Sequence, residues 1–114
     1  MPYFSLETNQ KIDARVQYTK AATNFIADLL DKPEKFIMIS LKEQHEMRFA
    51  GSTDATAYVQ LKSIGLPDEK DKLIKAICEF TEAHTGIKKE RIYTELIDLS
   101  REDFGWNGKS FASK

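Results

Sequence analysis

Met1-Pro2-Tyr3-Phe4-Ser5-Leu6-Glu7-Thr8 opens the chain and predicts its first strand. Apolar Phe4 and Leu6 alternate with residues of the opposite face, which is the period of a half-buried strand. A small residue after Met favours removal of the initiator, so we expect the mature chain to begin with the secondary amine of Pro2. Because α-amino groups titrate near neutrality, and burial or a nearby cation lowers their pKa, such a strand can place a general base in the fold.

The same strand pattern returns 55 residues later, and the sequence that follows each strand repeats with it. Each copy runs strand, helix, strand, over residues 2–41 and 57–99, with apolar residues at helical spacing in the middle. Two βαβ units predict an α+β fold: a four-stranded mixed sheet with both helices on one face. The aligned pairs are Tyr3/Tyr58, Leu6/Leu61, Asp13/Asp68, Lys20/Lys75, Ala21/Ala76, Phe25/Phe80, Ile37/Ile92 and Leu41/Leu96.

The boundaries of the predicted elements follow from the local sequence. Pro67-Asp68-Glu69 suits a first helical turn, and Gly86 suits the position just after a helix. Two smaller elements are expected: a short strand at Met47–Ala50, and one helical turn that Ser100-Arg101-Glu102-Asp103 caps and Gly105 ends. The main predicted strands are residues 3–8, 36–41, 58–63 and 92–99, and the predicted helices are residues 12–30 and 68–84.

One face of the predicted sheet is left without helices. It mixes aromatic and methionine side chains with polar ones, so it is too apolar to face water and too polar to form a dry core. A symmetric oligomer would cover it; the alternative is a partly hydrated monomer. The residues expected there are Tyr3, Ser5, Glu7, Phe36, Met38, Tyr58, Gln60, Lys62, Tyr93, Glu95 and Ile97.

Composition narrows the class of protein. We expect a single domain over residues 1–114, in which 17 basic and 18 acidic residues are interspersed to a net charge of −1. The sequence has no stripe of basic residues that would indicate nucleic-acid binding, and no apolar stretch long enough to span a membrane. Without a signal peptide, cytoplasm is the expected compartment, with leaderless secretion left open. Cys78 is the single cysteine, and His45 and His84 fit surface or cap positions, so no metal site is expected.

Six short segments carry a resemblance: Met1–Phe4, Lys32–Met38, Phe49–Asp54, Ser63–Gly65, Arg91–Tyr93 and Gly105–Gly108. With their order, the repeat and the N-terminal proline, the chain resembles the macrophage migration inhibitory factor family of the tautomerase superfamily over essentially its full length. The resemblance implies a homotrimer with active sites at the subunit interfaces. It also implies keto–enol tautomerisation of phenylpyruvate-like α-keto acids or dopachrome-type compounds, without a metal or organic cofactor.

The resemblance also implies residue roles. Pro2 matches the general base, and Lys32 matches a lysine that binds the substrate carboxylate and helps keep Pro2 neutral. Ile64 matches an isoleucine whose backbone amide contacts substrate, and Tyr93 matches a tyrosine of the adjacent subunit. Enolisation needs groups of these types: a base, a cation and donors to the developing enolate oxygen. An aromatic substrate also needs apolar walls, and the residues at the family's wall positions are Tyr3, Phe36, Phe104, Trp106 and Phe111. The last three would equally serve to anchor the C-terminal segment.

Glu95 departs from the family pattern, because many members carry an asparagine two residues after the tyrosine. A carboxylate near a site for anionic substrates repels them unless it is protonated or paired, for instance with Lys32, Lys62 or Arg91. Glu95 is therefore expected to touch the substrate site and to alter substrate preference without altering the fold.

Other functions compete with the enzymatic one. A trimeric, cytokine-like interaction protein with a vestigial pocket would explain Glu95 as well. Hydration, dehalogenation or decarboxylation of a small acid, known elsewhere in the superfamily, is disfavoured because residues 62–67 contain no arginine. The Cys-x-x-Cys of the vertebrate cytokines falls on Thr56 and Val59, which excludes thiol oxidoreductase activity.

Overall fold

Two helices cover one face of a four-stranded sheet in the computed structural model, which describes residues 1–113. The helices are α1 (Arg15–Leu30) and α2 (Lys70–Thr85), and 3₁₀ turns cover Glu34–Phe36, Lys89–Arg91 and Arg101–Asp103. The strands are β1 (Tyr3–Thr8), β2 (Met38–Lys42), β3 (Ala57–Ile64), β4 (Ile92–Leu99), β5 (Gly105–Trp106) and β6 (Lys109–Ser110).

The strand order β2-β1-β3-β4 follows from the two βαβ units. β1 is parallel to β2, β3 is parallel to β4, and the units meet where β1 pairs antiparallel with β3. Parallel neighbours need a crossover connection, and each helix supplies one. The register places Tyr3 beside both Met38 and Lys62, so β1 begins between the start of β2 and the end of β3. The predicted α+β fold with a mixed sheet is confirmed.

The core lies between the sheet and the two helices. Phe4 and Leu6 of β1 are fully buried, as the alternation predicts. Between the helices, the rings of Phe25 and Phe80 stack with centroids 4.3 Å apart, which joins α1 to α2. Full burial of a large apolar side chain such as Phe4 stabilises the fold by roughly 1.5–3 kcal/mol, whereas Phe25 and Phe80 are partly buried.

The end of α2 is where the sequence predicts it, but both helices begin later. Gly86 has a φ of 76°, and its N–H donates to a carbonyl of the last turn at 2.8 Å. α1 begins at Arg15 rather than at residue 12, and the Ile12 N–H before it donates to the Glu43 carboxylate at 2.8 Å. Pro67-Asp68-Glu69 forms the turn before α2 rather than its first turn.

One predicted strand and one predicted cap are wrong. Met47–Ala50 is not a strand, because Phe49 and Ser52 bond each other's backbone and close a tight turn with a single bridge. The helical turn after Ser100 is present as the 3₁₀ turn Arg101–Asp103, but the Ser100 hydroxyl makes no capping hydrogen bond. A turn of three residues leaves few free N–H groups for a side chain to cap.

The sheet face without helices is called the outer face. Met38 is 64% exposed there and Tyr93 59% exposed, whereas Ser5 in the centre is buried. Within residues 1–113, no helix combines the length and the apolar character of a bilayer span. The residues of the outer face are Tyr3, Ser5, Glu7, Met38, Ser40, Lys42, Tyr58, Gln60, Lys62, Tyr93, Glu95 and Ile97. Phe36, which the sequence placed in the second strand, lies in the 3₁₀ turn before it.

Candidate active site

A cavity of about 640 Å³ lies on the outer face where β1 begins, beside the hairpin of β5 and β6. It brings together six of the predicted site residues: Pro2, Tyr3, Phe36, Phe104, Trp106 and Phe111. Its other lining residues are Met1, Lys35, Ile37, Met38, Lys42, Gln60, Lys62 and Gly105. Lys32, Ile64, Tyr93 and Glu95 do not line it within one subunit.

Pro2 is fully buried at this cavity and is held by backbone pairing on both sides. Its carbonyl accepts the Met38 N–H at 3.0 Å, which ties it to β2. The next residue, Tyr3, pairs with Lys62 of β3. Because proline has no N–H when it is linked to a preceding residue, it begins a strand here without losing a ladder hydrogen bond. The chain start is therefore a fixed part of the sheet.

The N-terminal amine, carried by Met1 in this structure, lies where its neutral form is favoured. Burial lowers the pKa of this amine from its ordinary value of 8.0, and the positive charge of Lys32 lowers it further. Lys32 is positioned by the end of α1, where Asp31 takes a left-handed conformation and the Lys32 N–H donates to the Ala27 carbonyl at 3.1 Å. Lys32 thus acts on the amine through its charge.

The aromatic wall of the cavity is built by the C-terminal segment. β5 and β6 are joined by Asn107-Gly108, both with positive φ, which is the two-residue turn that suits a hairpin. Behind it the rings of Phe104 and Phe111 stack at 5.8 Å, and the Phe111 N–H donates to the Phe104 carbonyl at 3.0 Å. Trp106 is 68% exposed and lines the cavity, so its indole stands at the wall while the stacked pair fastens the segment.

Three lysines at the cavity were missed by the sequence analysis as site residues. The Lys35 ammonium lies 5.1 Å from the centroid of the Phe36 ring, and the Lys62 ammonium lies 5.8 Å from that of Tyr3. Lys42 also lines the cavity, from the end of β2. Alternation along β3 placed Lys62 on the outer face, but only the register of β1 with β3 shows that Lys62 lies beside Tyr3, next to Pro2.

Ile64 and Tyr93 lie apart from the cavity for different reasons. Ile64 ends β3, just past the Tyr3–Lys62 pair, so its backbone continues the edge of the sheet at which the chain begins. Tyr93 pairs with Tyr58, which lies four positions along β3 from Lys62 and so about 13 Å away along the strand. The Tyr93 ring packs edge-on against Phe49 with centroids 4.8 Å apart. Within one subunit, Tyr93 therefore belongs to the opposite end of the sheet.

Glu95 is held as a carboxylate on the outer face. The Gln60 side-chain amide donates to it, and this hydrogen bond, with the Tyr58 hydroxyl and the charge of Lys62 adding to it, lowers the pKa of Glu95. Glu95 in turn raises the pKa of Tyr58, chiefly through the shared hydrogen bond. Of the pairings considered from the sequence, only Lys62 contributes, because Arg91 donates instead to backbone carbonyls of the loop before β3.

Within residues 1–113, no three His, Cys, Asp or Glu side chains come together as a metal site requires. The two histidines have local partners: His84 Nδ1 lies 3.0 Å from the Phe80 carbonyl, and His45 Nδ1 lies 3.8 Å from the Glu7 carboxylate.

Two βαβ units in one small chain, with a buried Pro2 at an aromatic cavity near the chain start, fit the tautomerase superfamily. The family model for macrophage migration inhibitory factor (MIF) matches residues 1–112. The chain therefore belongs to the macrophage migration inhibitory factor family, of which tautomerase or cytokine-like activity is typical.

Individual relatives agree with this assignment. The chain is 33% identical to the macrophage migration inhibitory factor homolog of Brugia malayi, over 97% of this chain and 99% of that relative. It is 29% identical to the homolog of Trichinella spiralis, over 97% of this chain and 100% of that relative. Among solved structures, it is similar to the homologue from Prochlorococcus marinus with a TM-score of 0.88 and 30% identity, over 96% of this chain and 98% of the other. The Trichinella spiralis structure superimposes with a TM-score of 0.90 at 28% identity, over 96% and 99%.

Proposed function

We propose that this protein is a cofactor-independent keto–enol tautomerase of phenylpyruvate-type α-keto acids, with dopachrome-type compounds as related substrates. The general base is the amine of Pro2 after removal of Met1. One observation carries the proposal: Pro2 is fully buried at an aromatic cavity, and at this chain start burial and the charge of Lys32 lower the pKa of the terminal amine, which Met1 carries in this structure. A lowered pKa increases the fraction of neutral amine, the form that can accept a proton and return it within one turnover.

The reaction needs only one proton to move. The neutral Pro2 amine takes a proton from the carbon next to the keto group and becomes an ammonium, while negative charge develops on the keto oxygen. The same ammonium then returns the proton to that oxygen and leaves the enol, so no oxidant, reductant or metal enters the balance. Lys32 would attract the substrate carboxylate, and the aromatic wall of Phe36, Trp106 and Phe111 would take the ring.

Assembly completes this proposed site. The developing enolate oxygen needs hydrogen-bond donors, and the proposal assigns this role to the Ile64 amide or the Tyr93 hydroxyl. Since Tyr93 lies at the far end of its own sheet, it can serve only the cavity of a neighbouring subunit. The proposed functional unit is therefore a homotrimer with its sites between subunits, and the apolar side chains of the outer face would be covered by the same contacts.

The proposal is tested with Met-free protein whose mass has been verified, by following phenylpyruvate ketonisation. Pro2→Gly should lower the turnover about 100-fold or more, because general-base catalysis contributes on the order of 10²–10⁴. Pro33→Gly serves as the matched control, since Pro33 is exposed and away from the cavity lining. Near-normal turnover by Pro2→Gly, with the trimer intact, would remove Pro2 from the role of base.

Glu95 supports a second candidate, a trimeric interaction protein with weak or vestigial tautomerase activity. Its carboxylate stays ionised on the face that carries the cavity, where it opposes an anionic substrate. This candidate predicts an intact trimer whose rate equals that of buffer and whose Trp106 fluorescence does not respond to phenylpyruvate. A fast wild type would exclude it.

A further inference from the structure

Tyr93 stands on an edge strand and has little support from the sheet itself. In the order β2-β1-β3-β4, its strand is the last one, and Tyr93 is 59% exposed. Its partner in register is Tyr58, whose ring centroid lies 6.5 Å from that of Tyr93. A side chain left this open exchanges between rotamers, and holding it in one of them costs conformational entropy. A group outside the sheet is therefore needed to fix the Tyr93 ring.

The ring of Phe49 meets this need. Phe49 lies in the loop between β2 and β3, and its ring packs against Tyr93 with centroids 4.8 Å apart and planes 72° apart. This is the edge-to-face arrangement that aromatic pairs favour, and it stabilises the pair beyond the area that the two rings bury. Phe49 is therefore a nearer aromatic contact of Tyr93 than Tyr58 is.

Phe49 is itself held in place by its own chain. Its backbone exchanges two hydrogen bonds with Ser52, at 2.9 and 3.1 Å. Arg91 donates to the Phe49 carbonyl at 3.1 Å, and its guanidinium carbon lies 5.2 Å from the centroid of the Phe49 ring, within the range of a cation–π contact. Since Arg91 immediately precedes β4, these contacts tie Phe49 to the start of the strand that carries Tyr93.

We propose that Phe49 is a positioning residue of the tautomerase site: it holds the Tyr93 ring in the orientation that presents the Tyr93 hydroxyl to the cavity of the neighbouring subunit. The inference rests on the proposed function and on Tyr93 as its donor to the enolate oxygen. Phe49 does not line the cavity at Pro2, so it acts through Tyr93 of its own chain. A donor that is already oriented stabilises the developing charge without reorganisation during the reaction.

The first test replaces the Phe49 ring in every subunit. Phe49→Leu keeps an apolar side chain and should lower kcat for phenylpyruvate about fivefold, the order that one edge-on aromatic pair contributes. KM should change little, because Lys32 still attracts the carboxylate. Phe49→Tyr keeps the ring and should retain the wild-type rate. Arg48→Ala alters an exposed residue of the same loop and should also leave the rate unchanged.

Mixed trimers separate positioning from a general effect on the fold. When Pro2→Gly and Tyr93→Phe chains are refolded together, each recovered site combines Pro2 of the Tyr93→Phe chain with Tyr93 of the Pro2→Gly chain. Adding Phe49→Leu to the Pro2→Gly chain, which supplies Tyr93, should lower the recovered activity about fivefold. Adding it instead to the Tyr93→Phe chain should leave the recovered activity unchanged.

The outcomes distinguish this inference from the proposed function. Equal losses from Phe49→Leu in the two chains would show a merely structural role and overturn the inference while leaving the tautomerase proposal intact. A wild-type rate for Phe49→Leu or for Tyr93→Phe would also overturn the inference and leave Pro2 as the base. A wild type no faster than buffer would overturn the proposed function and the inference together.

Discussion

At the scale of single residues, the proposed chemistry depends on the charge state of one amine. An amine at the surface is largely protonated at pH 7 and makes a poor base, whereas burial removes the water that stabilises its charge. Here the chain start is part of the sheet: Pro2 bonds β2 through its carbonyl, and Tyr3 pairs with β3. Lys32 adds a positive charge that also disfavours the ammonium. The expected chemistry follows from where the chain begins in the fold.

The pH dependence of kcat/KM for phenylpyruvate tests this electrostatic arrangement. Only the neutral amine accepts a proton, so activity should rise with pH and level off, with a midpoint below the ordinary pKa of an N-terminal proline amine, because burial and Lys32 both lower the pKa at the chain start. Lys32→Gln should move the midpoint upward, because one of the two causes of the lowered pKa is lost. The midpoint should still lie below the ordinary pKa of such an amine, because burial, the larger cause, remains. Lys32→Gln should also raise KM; a midpoint unmoved by this change would show that Lys32 does not act on the amine.

The residue roles were only partly accessible from sequence. Alternation predicts which side chains share a face, and so Tyr3 and Lys62 were placed together on the outer face. It does not show how neighbouring strands are shifted along one another, and this register decides which lysines meet Pro2. Lys42 was missed for that reason, and Lys35 was missed because it lies in a 3₁₀ turn outside any strand. The roles of Pro2 and Lys32 come from the chain start and from the family resemblance, and they stay predictions.

At the scale of elements, a single arginine organises the loop that replaces the predicted strand at 47–50. The Arg91 guanidinium donates to the carbonyls of Phe49 at 3.1 Å, Asp54 at 3.1 Å and Ala55 at 2.9 Å, and it stacks over the Phe49 ring. Phe49 in turn contacts Tyr93. The loop is therefore fixed by side-chain donors, which no strand periodicity in the sequence reveals.

Replacing Arg91 tests whether its hydrogen bonds stabilise this loop. Arg91→Ala should lower the free energy of unfolding by about 2 kcal/mol, because the partly buried carbonyls of Phe49 and Ala55 lose a charged donor. Arg48→Ala is the control, since Arg48 is exposed in the same loop and its single bond to the Gly51 carbonyl is long, at 3.4 Å. Chemical denaturation measures both. Equal effects of the two substitutions would show that the Arg91 contacts do not stabilise the loop.

The regular elements were easier to predict than the short ones. The helical spacing of Tyr18, Ala22 and Ile26 shows in the sequence and is borne out by their burial in α1. The hairpin of β5 and β6 was not predicted, although Asn107-Gly108 is a strong turn signal. Its strands are two residues each, too short for alternation to show.

At the scale of the whole molecule, the outer face gives the subunit a reason to assemble. Large side chains such as Met38 and Tyr93 stand exposed beside buried polar ones, a composition that suits contact with other copies. The sequence predicted this face from its mixture of residue types. The contacts that each outer-face residue would make with a second copy of the chain could not be predicted from the sequence. Such contacts depend on the geometry between copies and not on any pattern within one chain.

The oligomeric state is a direct consequence to measure. Light scattering should report three times the chain mass of 13.1 kDa. A Met38→Glu variant should weaken the assembly, because it places a charge on the exposed apolar part of the outer face. A monomeric wild type would contradict a shared site that uses Tyr93.

Mixed trimers test whether Tyr93 serves a neighbour's cavity. Pro2→Gly and Tyr93→Phe should each be slow as pure trimers, since one lacks the base and the other lacks a donor. When the two chains are refolded together, some interfaces combine an intact Pro2 with an intact Tyr93, and activity should return. Chains refolded alone are the controls. No recovery in the mixture would contradict a site shared between subunits.

The most direct test of the central claim changes the amine and leaves every side chain of residues 2–114 as it is. Phenylpyruvate turnover is compared between mass-verified protein that has lost Met1 and protein that retains it. With Met1 attached, the Pro2 nitrogen is an amide and has no basicity. Met1 then adds its own side chain to the cavity lining, while the three lysines of the cavity are unchanged. We expect fast turnover for the Met-free form and a rate near that of buffer for the form that retains Met1. Equal rates for the two forms would contradict the role of the Pro2 amine as the base.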